Sequence, residues 1–102
     1  MLILFDNNVP RGLARALGEH TVTETRERGW DTLRNGDLLR VAENAGFQVI
    51  VTADKRIKYQ QNLEGRTIAL VVLMQGRWGP IRKRLAGIAA AVAAARPGSY
   101  VE

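Results

Sequence analysis

Two apolar runs in this chain each lead to an aspartate. Residues 49–52 are all β-branched and are followed by Ala53 and Asp54, and residues 2–5 lead directly into Asp6. Runs that are apolar at every position predict central strands of a parallel sheet, buried on both faces. Because ligands bind at the carboxyl ends of such strands, the pattern predicts one site that contains Asp6 and Asp54.

The remaining segments alternate between strand and helix patterns. β-branched stretches over residues 20–25 and 67–73 predict two further strands. Apolar positions at helical spacing, or helical composition, predict the intervening helices, over residues 11–17, 37–45, 55–63 and about 80–96. This alternation predicts a three-layer α/β/α sandwich around a central, mainly parallel sheet of about four to five strands.

Polar residues and glycines mark the ends of these helices. Asn8 is a suitable N-cap for the helix at 11–17, and Gly46 is suited to follow the helix at 37–45. The sequence Arg96-Pro97-Gly98 ends the last helix, so residues 97–102 are expected to form a loose tail.

Length and composition indicate one domain over residues 1–102. A chain of 102 residues is long enough for one core, and it shows no internal repeat or linker. The absence of cysteine excludes disulfides, thiol catalysis and cysteine-ligated metal sites, and it permits a reducing compartment. Without a signal peptide or a long apolar run, a cytoplasmic protein with no membrane partner is expected.

The chain is basic, with a formal net charge of +5. Nucleic acid, and RNA in particular, is therefore a natural partner, although a merely soluble surface also carries a net charge of roughly 2–8. The basic residues that directly follow Asp54 are suited to phosphate contacts, with a solvated helix face as the alternative: Lys55, Arg56 and Lys58.

The densest basic cluster precedes and opens the last helix. It consists of Arg77, Arg82, Lys83 and Arg84. Trp78 lies beside it and could stack on single-stranded RNA, but we favour packing of its indole against the last helix because of the area an indole can bury. The single histidine, His20, is interpreted as structural, and the polar residues 59–62 form a helix face or a homodimer surface.

A third aspartate, Asp37, begins the helix between the two central strands. Carboxylates that converge at one end of a sheet, without sulfur or clustered histidine, suit Mg²⁺ or Mn²⁺. An ion of this kind lowers the pKa of bound water and stabilises charge on a phosphodiester. The alternative is that Asp6 and Asp37 are helix caps and that Asp54 is a turn residue.

Three blocks of the sequence resemble a small PIN-like domain of the VapC toxin ribonuclease superfamily. They are Leu-Phe-Asp-Asn-Asn-Val-Pro, Asn-Gly-Asp-Leu-Leu-Arg-Val-Ala-Glu and Val-Ile-Val-Thr-Ala-Asp-Lys, at residues 4–10, 35–43 and 49–55. The resemblance implies a nuclease dependent on Mg²⁺ or Mn²⁺, whose catalytic and metal-binding acids are Asp6, Asp37 and Asp54. Thr52 is the hydroxyl of the third block.

The sequence departs from this family at two places. Relatives often carry an acid where this chain has Asn7, and full PIN nucleases usually have a fourth acid after the third block. The metal site is therefore weaker, completed by Asn7 or Asn8, or lost.

Two functions follow from the resemblance. The first is a metal-dependent ribonuclease, the toxin half of a pair with an antitoxin protein, and the second is a non-catalytic nucleic-acid-binding or regulatory module. A phosphoacceptor receiver domain is disfavoured because Thr52, Asp54 and Lys55 are crowded together, whereas receivers place these residue types on separate strands.

Overall fold

The computed structural model describes residues 1–33, 35–54, 66–74 and 76–101. In this part of the chain five strands form one sheet: β1 (Leu2–Phe5), β2 (Thr21–Glu24), β3 (Val49–Thr52), β4 (Ala69–Val72) and β5 (Tyr100–Val101). Their order is β2-β1-β3-β4-β5, and every neighbouring pair is parallel. The predicted α/β fold with a parallel sheet is confirmed.

Burial explains the composition of the central strands. All residues of β3 and β4 are buried, and so are the last three residues of β1. A strand covered on both faces must be apolar at each position, which is why these segments are continuous apolar runs. The edge strand β2 is only partly covered, and it alternates threonine with Val22 and Glu24.

The sheet is covered by helices on both faces. The 3₁₀ helix Arg11–Leu17 and two α-helices, α2 (Trp78–Arg82) and α3 (Leu85–Ala93), pack on one face, whereas α1 (Asn35–Asn44) packs on the other. The residues that anchor the helices on the first face are Leu13, Leu17, Ile81 and Val92. Leu38, Leu39 and Ala42 anchor α1 on the second face. The predicted three layers are therefore present.

The loop before α1 closes the second face. Trp30 and Leu33 pack against the core there. The Trp30 ring meets Phe47 edge to face at 5.9 Å, and the Arg28 guanidinium lies 4.9 Å from the centre of the Trp30 ring. This aromatic pair fixes the 3₁₀ helix Thr25–Arg28 to the rest of the fold.

Two helices differ from the sequence predictions. The segment at 11–17 is a 3₁₀ helix, and the helix predicted over about 80–96 is two helices separated by Lys83 and Arg84. At that break the amides of Lys83 and Arg84 bond to the carbonyls of Pro80 and Ile81 in a tighter turn. Hydrophobic spacing cannot detect this break, because Ile81 and Leu85 still pack on the same core.

The expected loose tail is wrong for its last described residues. Tyr100–Val101 forms β5, and Leu70 donates its backbone N–H to the Ser99 carbonyl at 2.9 Å. Gly98 makes the preceding turn with a φ of 76°. A two-residue strand is too short to show a pattern in sequence, and it forms because β4 offers unpaired backbone groups at its edge.

The helix predicted over residues 55–63 lies outside the part of the chain that the structure describes. Within the described part, no helix combines the length and the apolar character needed to cross a membrane.

Candidate functional site

The strand order identifies the position where this fold can bind a ligand. After β1 the chain crosses to β2 on one side of it, whereas β3 lies on its other side. In parallel sheets of this order the connections leave the carboxyl ends of β1 and β3 in opposite directions, and the crevice between them is the usual ligand site. Asp6 directly follows β1 and Asp54 follows β3, so both lie at this crevice.

A buried hydroxyl joins the two aspartates. Thr52 is fully buried and donates its Oγ1 hydrogen to Asp6 Oδ2 at 2.9 Å. The backbone N–H of Asp54 donates to the same Oγ1 at 3.0 Å. The Thr52 side chain therefore fixes the Asp6 carboxylate relative to the backbone of Asp54.

The Asp6 carboxylate is half-buried and well oriented. Its Oδ1 accepts a hydrogen bond from the backbone N–H of Asn7 at 2.8 Å, and its Oδ2 accepts the hydrogen bond from the Thr52 hydroxyl. A carboxylate oxygen can accept about two hydrogen bonds or ligand contacts. Each oxygen of Asp6 thus retains the capacity to contact a cation or a water molecule.

Asn8 belongs to the site and not to a helix cap, so the predicted N-cap is wrong. Its Oδ1 accepts the backbone N–H of Ala53 at 2.9 Å, whereas Pro10 occupies the cap position without a side-chain hydrogen bond. Asn8 Oδ1 also lies 3.5 Å from the Thr52 hydroxyl. That hydroxyl has one hydrogen, and we assign it to Asp6, the closer and charged acceptor.

Asn7 connects the site to the neighbouring loop. Its Nδ2 donates to the Asp31 carbonyl at 2.7 Å, and its Oδ1 accepts the Thr25 hydroxyl at 2.7 Å. The position where relatives often carry an acid is therefore occupied by an amide with two protein partners. Asn7 supports the site by holding this loop, and its role as a metal ligand remains a prediction.

Asp37 is placed differently from the other two aspartates. It is the third residue of α1, is exposed, and pairs with Arg40 at 3.0 Å. Among the described residues no three acidic or histidine side chains come together in a group able to hold a metal ion. The structure thus does not join Asp37 to Asp6 and Asp54 in one cluster, and its predicted role as a ligand stays a prediction.

One residue of the basic cluster, Arg77, borders the site. The exposed members of this cluster, none of which pairs with an acid among the described residues, are Arg77, Arg82, Lys83 and Arg84. Arg77 follows Gly76, where an added Cβ would lie 2.7 Å from the Asn8 carbonyl oxygen. Arg77 is therefore next to the crevice. Lys55, Arg56 and Lys58 lie outside the described residues.

Trp78 packs on a residue that the sequence did not single out. The indole lies against Gly12 of the first 3₁₀ helix, and its packing against the last helix stays a prediction. Sequence reasoning also missed Gly76. Both glycines act through close approach of segments far apart in the chain, which local patterns do not report.

Two other features of the structure carry no part of the proposed acid site. His20 lies before β2, where its Nδ1 is 3.2 Å from the Met1 amino group. A largely apolar groove of about 700 Å³ lies beside β4 and β5, and its lining includes Met74, Ile81 and Ile88. Neither feature carries an acid that could join the site.

The Thr52 hydroxyl can be tested by an isosteric change. Thr52→Val leaves one Asp6 oxygen and the Asp54 amide without their shared partner, so we expect unfolding free energy to fall by about 1–3 kcal/mol. Thr52→Ser keeps the hydroxyl and is the control, although it loses a buried methyl group. Urea unfolding followed by circular dichroism measures both variants. Equal stability of Thr52→Val and wild type contradicts the assigned hydrogen bonds.

Comparisons of the chain with protein-family models, with curated proteins and with solved structures gave no match.

Proposed function

We propose that this protein is a metal-dependent ribonuclease with a PIN-like domain. The observation that carries the proposal is the arrangement of Asp6 and Asp54 at adjacent strand ends, joined by the Thr52 hydroxyl. Two acids, a buried orienting hydroxyl and the exposed Arg77 lie at the crevice where parallel sheets of this order bind ligands.

The donor set fits Mg²⁺ or Mn²⁺. Both ions prefer oxygen ligands, and Mg²⁺ is commonly held by one or two carboxylates with water in the remaining positions. Asp6 and Asp54 are the residues that would hold the ion, with Asp37 as a further acid from the resemblance. The ion would supply an activated water and would neutralise charge on the phosphodiester.

The chain's own residues have separate tasks in this proposal. The Thr52 hydroxyl and the backbone N–H of Asn7 hold the two oxygens of Asp6 in place. The carboxylate therefore need not reorganise when it binds the ion. Arg77 and the rest of the basic cluster hold substrate phosphates. In the reaction a water oxygen bonds to phosphorus, one phosphorus–oxygen ester bond breaks, and the departing oxygen takes up a proton.

The test is cleavage of single-stranded RNA by the purified protein in water enriched in oxygen-18. We expect cleavage with Mg²⁺ or Mn²⁺, loss of cleavage with excess EDTA, and heavy oxygen in the new phosphate end. Contaminating ribonucleases that use the RNA 2′-hydroxyl need no metal and first form a cyclic phosphate. Cleavage that survives EDTA therefore contradicts the proposal.

A non-catalytic nucleic-acid-binding module is the second candidate function. It is favoured by the absence of a three-acid group among the described residues. The exposed basic cluster would serve RNA binding in either case. Salt-dependent RNA binding without any cleavage in Mg²⁺ or Mn²⁺ would establish this function instead.

A toxin–antitoxin role extends the first candidate. In that case the cytoplasm is the expected location, and the expected partners are an antitoxin protein and a second copy of this chain. Growth arrest on expression, reversed by Asp54→Asn, tests the toxin role. Size-exclusion chromatography with light scattering tests the homodimer.

A further inference from the structure

The Trp78 indole is seated face-on over Gly12. A Cβ added to Gly12 would lie 2.7 Å from Cη2 of the indole and 2.9 Å from both Cζ2 and Cζ3. Nearly equal distances to three adjacent ring carbons place that position above the ring, because an approach at the edge leaves the outer two carbons much farther away. The backbone of Gly12 therefore covers one face of the ring.

The indole is partly open to solvent. Trp78 is 39% exposed, and with Gly12 over one face a ligand can reach the ring only from the rest of its surface. Trp30 differs, because it packs into the second core and its ring contacts both Phe47 and Arg28. Of the two tryptophans, Trp78 is the more exposed, and it directly follows the exposed Arg77 next to the crevice.

Trp78 belongs to a segment that contacts the site. Asn8 contacts Gly76, and Gly12 contacts Trp78, so residues 8–12 and 76–78 run alongside each other. Trp78 is two residues beyond Gly76, a separation of at most about 7 Å between Cα atoms. Arg77, exposed and without an acid partner among the described residues, lies between them.

We infer that Trp78 is a stacking platform for one base of single-stranded RNA and that Arg77 contacts the adjoining phosphate. The inference rests on the proposed function for its substrate class. A supported indole face beside an unpaired guanidinium is suited to a flat base joined to a phosphate, because stacking and charge then act on neighbouring parts of one nucleotide. Duplex RNA is disfavoured, since its bases are already stacked.

The experiment measures binding of fluorescein-labelled 12-mers of oligo(U) and oligo(A) in EDTA at several salt concentrations. We expect Trp78→Leu to weaken binding by roughly 5- to 150-fold with an unchanged salt dependence. We expect Arg77→Gln to reduce the slope of log affinity against log salt by about 0.7. Trp78→Phe keeps a ring and should lose less affinity than Trp78→Leu.

Matched variants separate stacking from general packing. Gly12→Ala pushes the indole from its seat and should weaken single-strand binding, whereas Gly87→Ala, which meets nothing within 4 Å, should not. Arg96→Gln changes an exposed arginine before β5, at the end of the sheet opposite the crevice. This variant should leave the slope of log affinity against log salt unchanged. Base stacking should also quench tryptophan emission in wild type and in Trp30→Phe.

Two outcomes overturn the inference. One is single-strand affinity in Trp78→Leu that equals wild type, and the other is an equal loss of duplex and single-strand binding. If Trp78→Leu does not fold, the absence of quenching in wild type has the same effect. The binding measurements are made in EDTA and so do not depend on metal chemistry. RNA binding with these properties, but without cleavage in Mg²⁺ or Mn²⁺, would support the stacking platform and contradict the proposed nuclease activity.

Discussion

Asp54→Asn is expected to reduce RNA cleavage in Mg²⁺ by roughly 100-fold or more while the protein stays folded. The amide has nearly the shape of the carboxylate but no charge, so it is a much weaker ligand for a divalent ion. Initial cleavage rates measure the loss, and isothermal titration with Mn²⁺ measures metal affinity. Circular dichroism confirms that the fold is retained.

Companion variants identify which acids act together. Asp6→Asn should lose cleavage to the same extent, because the proposal makes both carboxylates ligands of one ion, and the Thr52 hydroxyl joins the Asp6 carboxylate to the backbone of Asp54. Asp31→Asn is the control, since Asp31 is exposed and its contact with the site is through its backbone carbonyl. An equal loss in Asp37→Asn would bring the third acid into the site, and full activity of Asp54→Asn would reveal a contaminating nuclease.

Glu43→Ala is expected to lower the free energy of unfolding by about 1–3 kcal/mol. Glu43 Oε2 accepts the backbone N–H and the hydroxyl of Thr67 at 2.6 and 3.1 Å, and the amide of Ile68 at 3.4 Å. Its Oε1 pairs with Arg66 at 3.4 Å. The carboxylate thus joins α1 to the start of β4, and alanine leaves these donors without a partner.

The same contacts make part of the stability depend on pH. The backbone hydrogen bond from Thr67, more than the Thr67 hydroxyl, Ile68 or Arg66, lowers the pKa of Glu43 below its ordinary value of 4.5, against the opposing effect of partial burial. A carboxylate with a lowered pKa stabilises the fold above the unfolded-state pKa, and that stability disappears as pH falls through the folded-state pKa.

Glu43→Gln isolates this contribution. The stability difference between wild type and Glu43→Gln should be largest near neutral pH and should shrink below the ordinary pKa of 4.5. Urea unfolding at pH 7 and at about pH 3 measures it. Glu27→Gln, at an exposed position, is the control. A difference that stays constant over this range would show that the Glu43 carboxylate does not hold these bonds as a charged group.

Local patterns placed much of the candidate site. The runs that precede Asp6 and Asp54 are continuous because both faces of β1 and β3 are covered, and this burial is recorded in composition. Parallel pairing then brings both strand ends to one edge. The sequence thus located two acids of the site before their hydrogen bonds were known.

Other features depended on contacts between distant segments. Asn8 is a residue type that commonly caps helices, but its side chain accepts a hydrogen bond from the backbone N–H of Ala53, 45 residues away. Trp78 is a residue type that commonly packs in a core, but its ring lies against Gly12, which is distant in sequence. Asp37 was placed correctly at the start of a helix, whereas its separation from the other acids depends on how α1 lies against the sheet.

The all-parallel sheet also has a consequence for how the chain folds. No two neighbouring strands can form a hairpin, and pairs such as Ile3 with Val49 or Leu70 with Tyr100 join residues far apart in sequence. Each pairing therefore closes a long segment before it gains stability, which slows folding relative to proteins with local contacts. Because β1 lies between β2 and β3, the crevice with Asp6 is completed only when three separate segments have met.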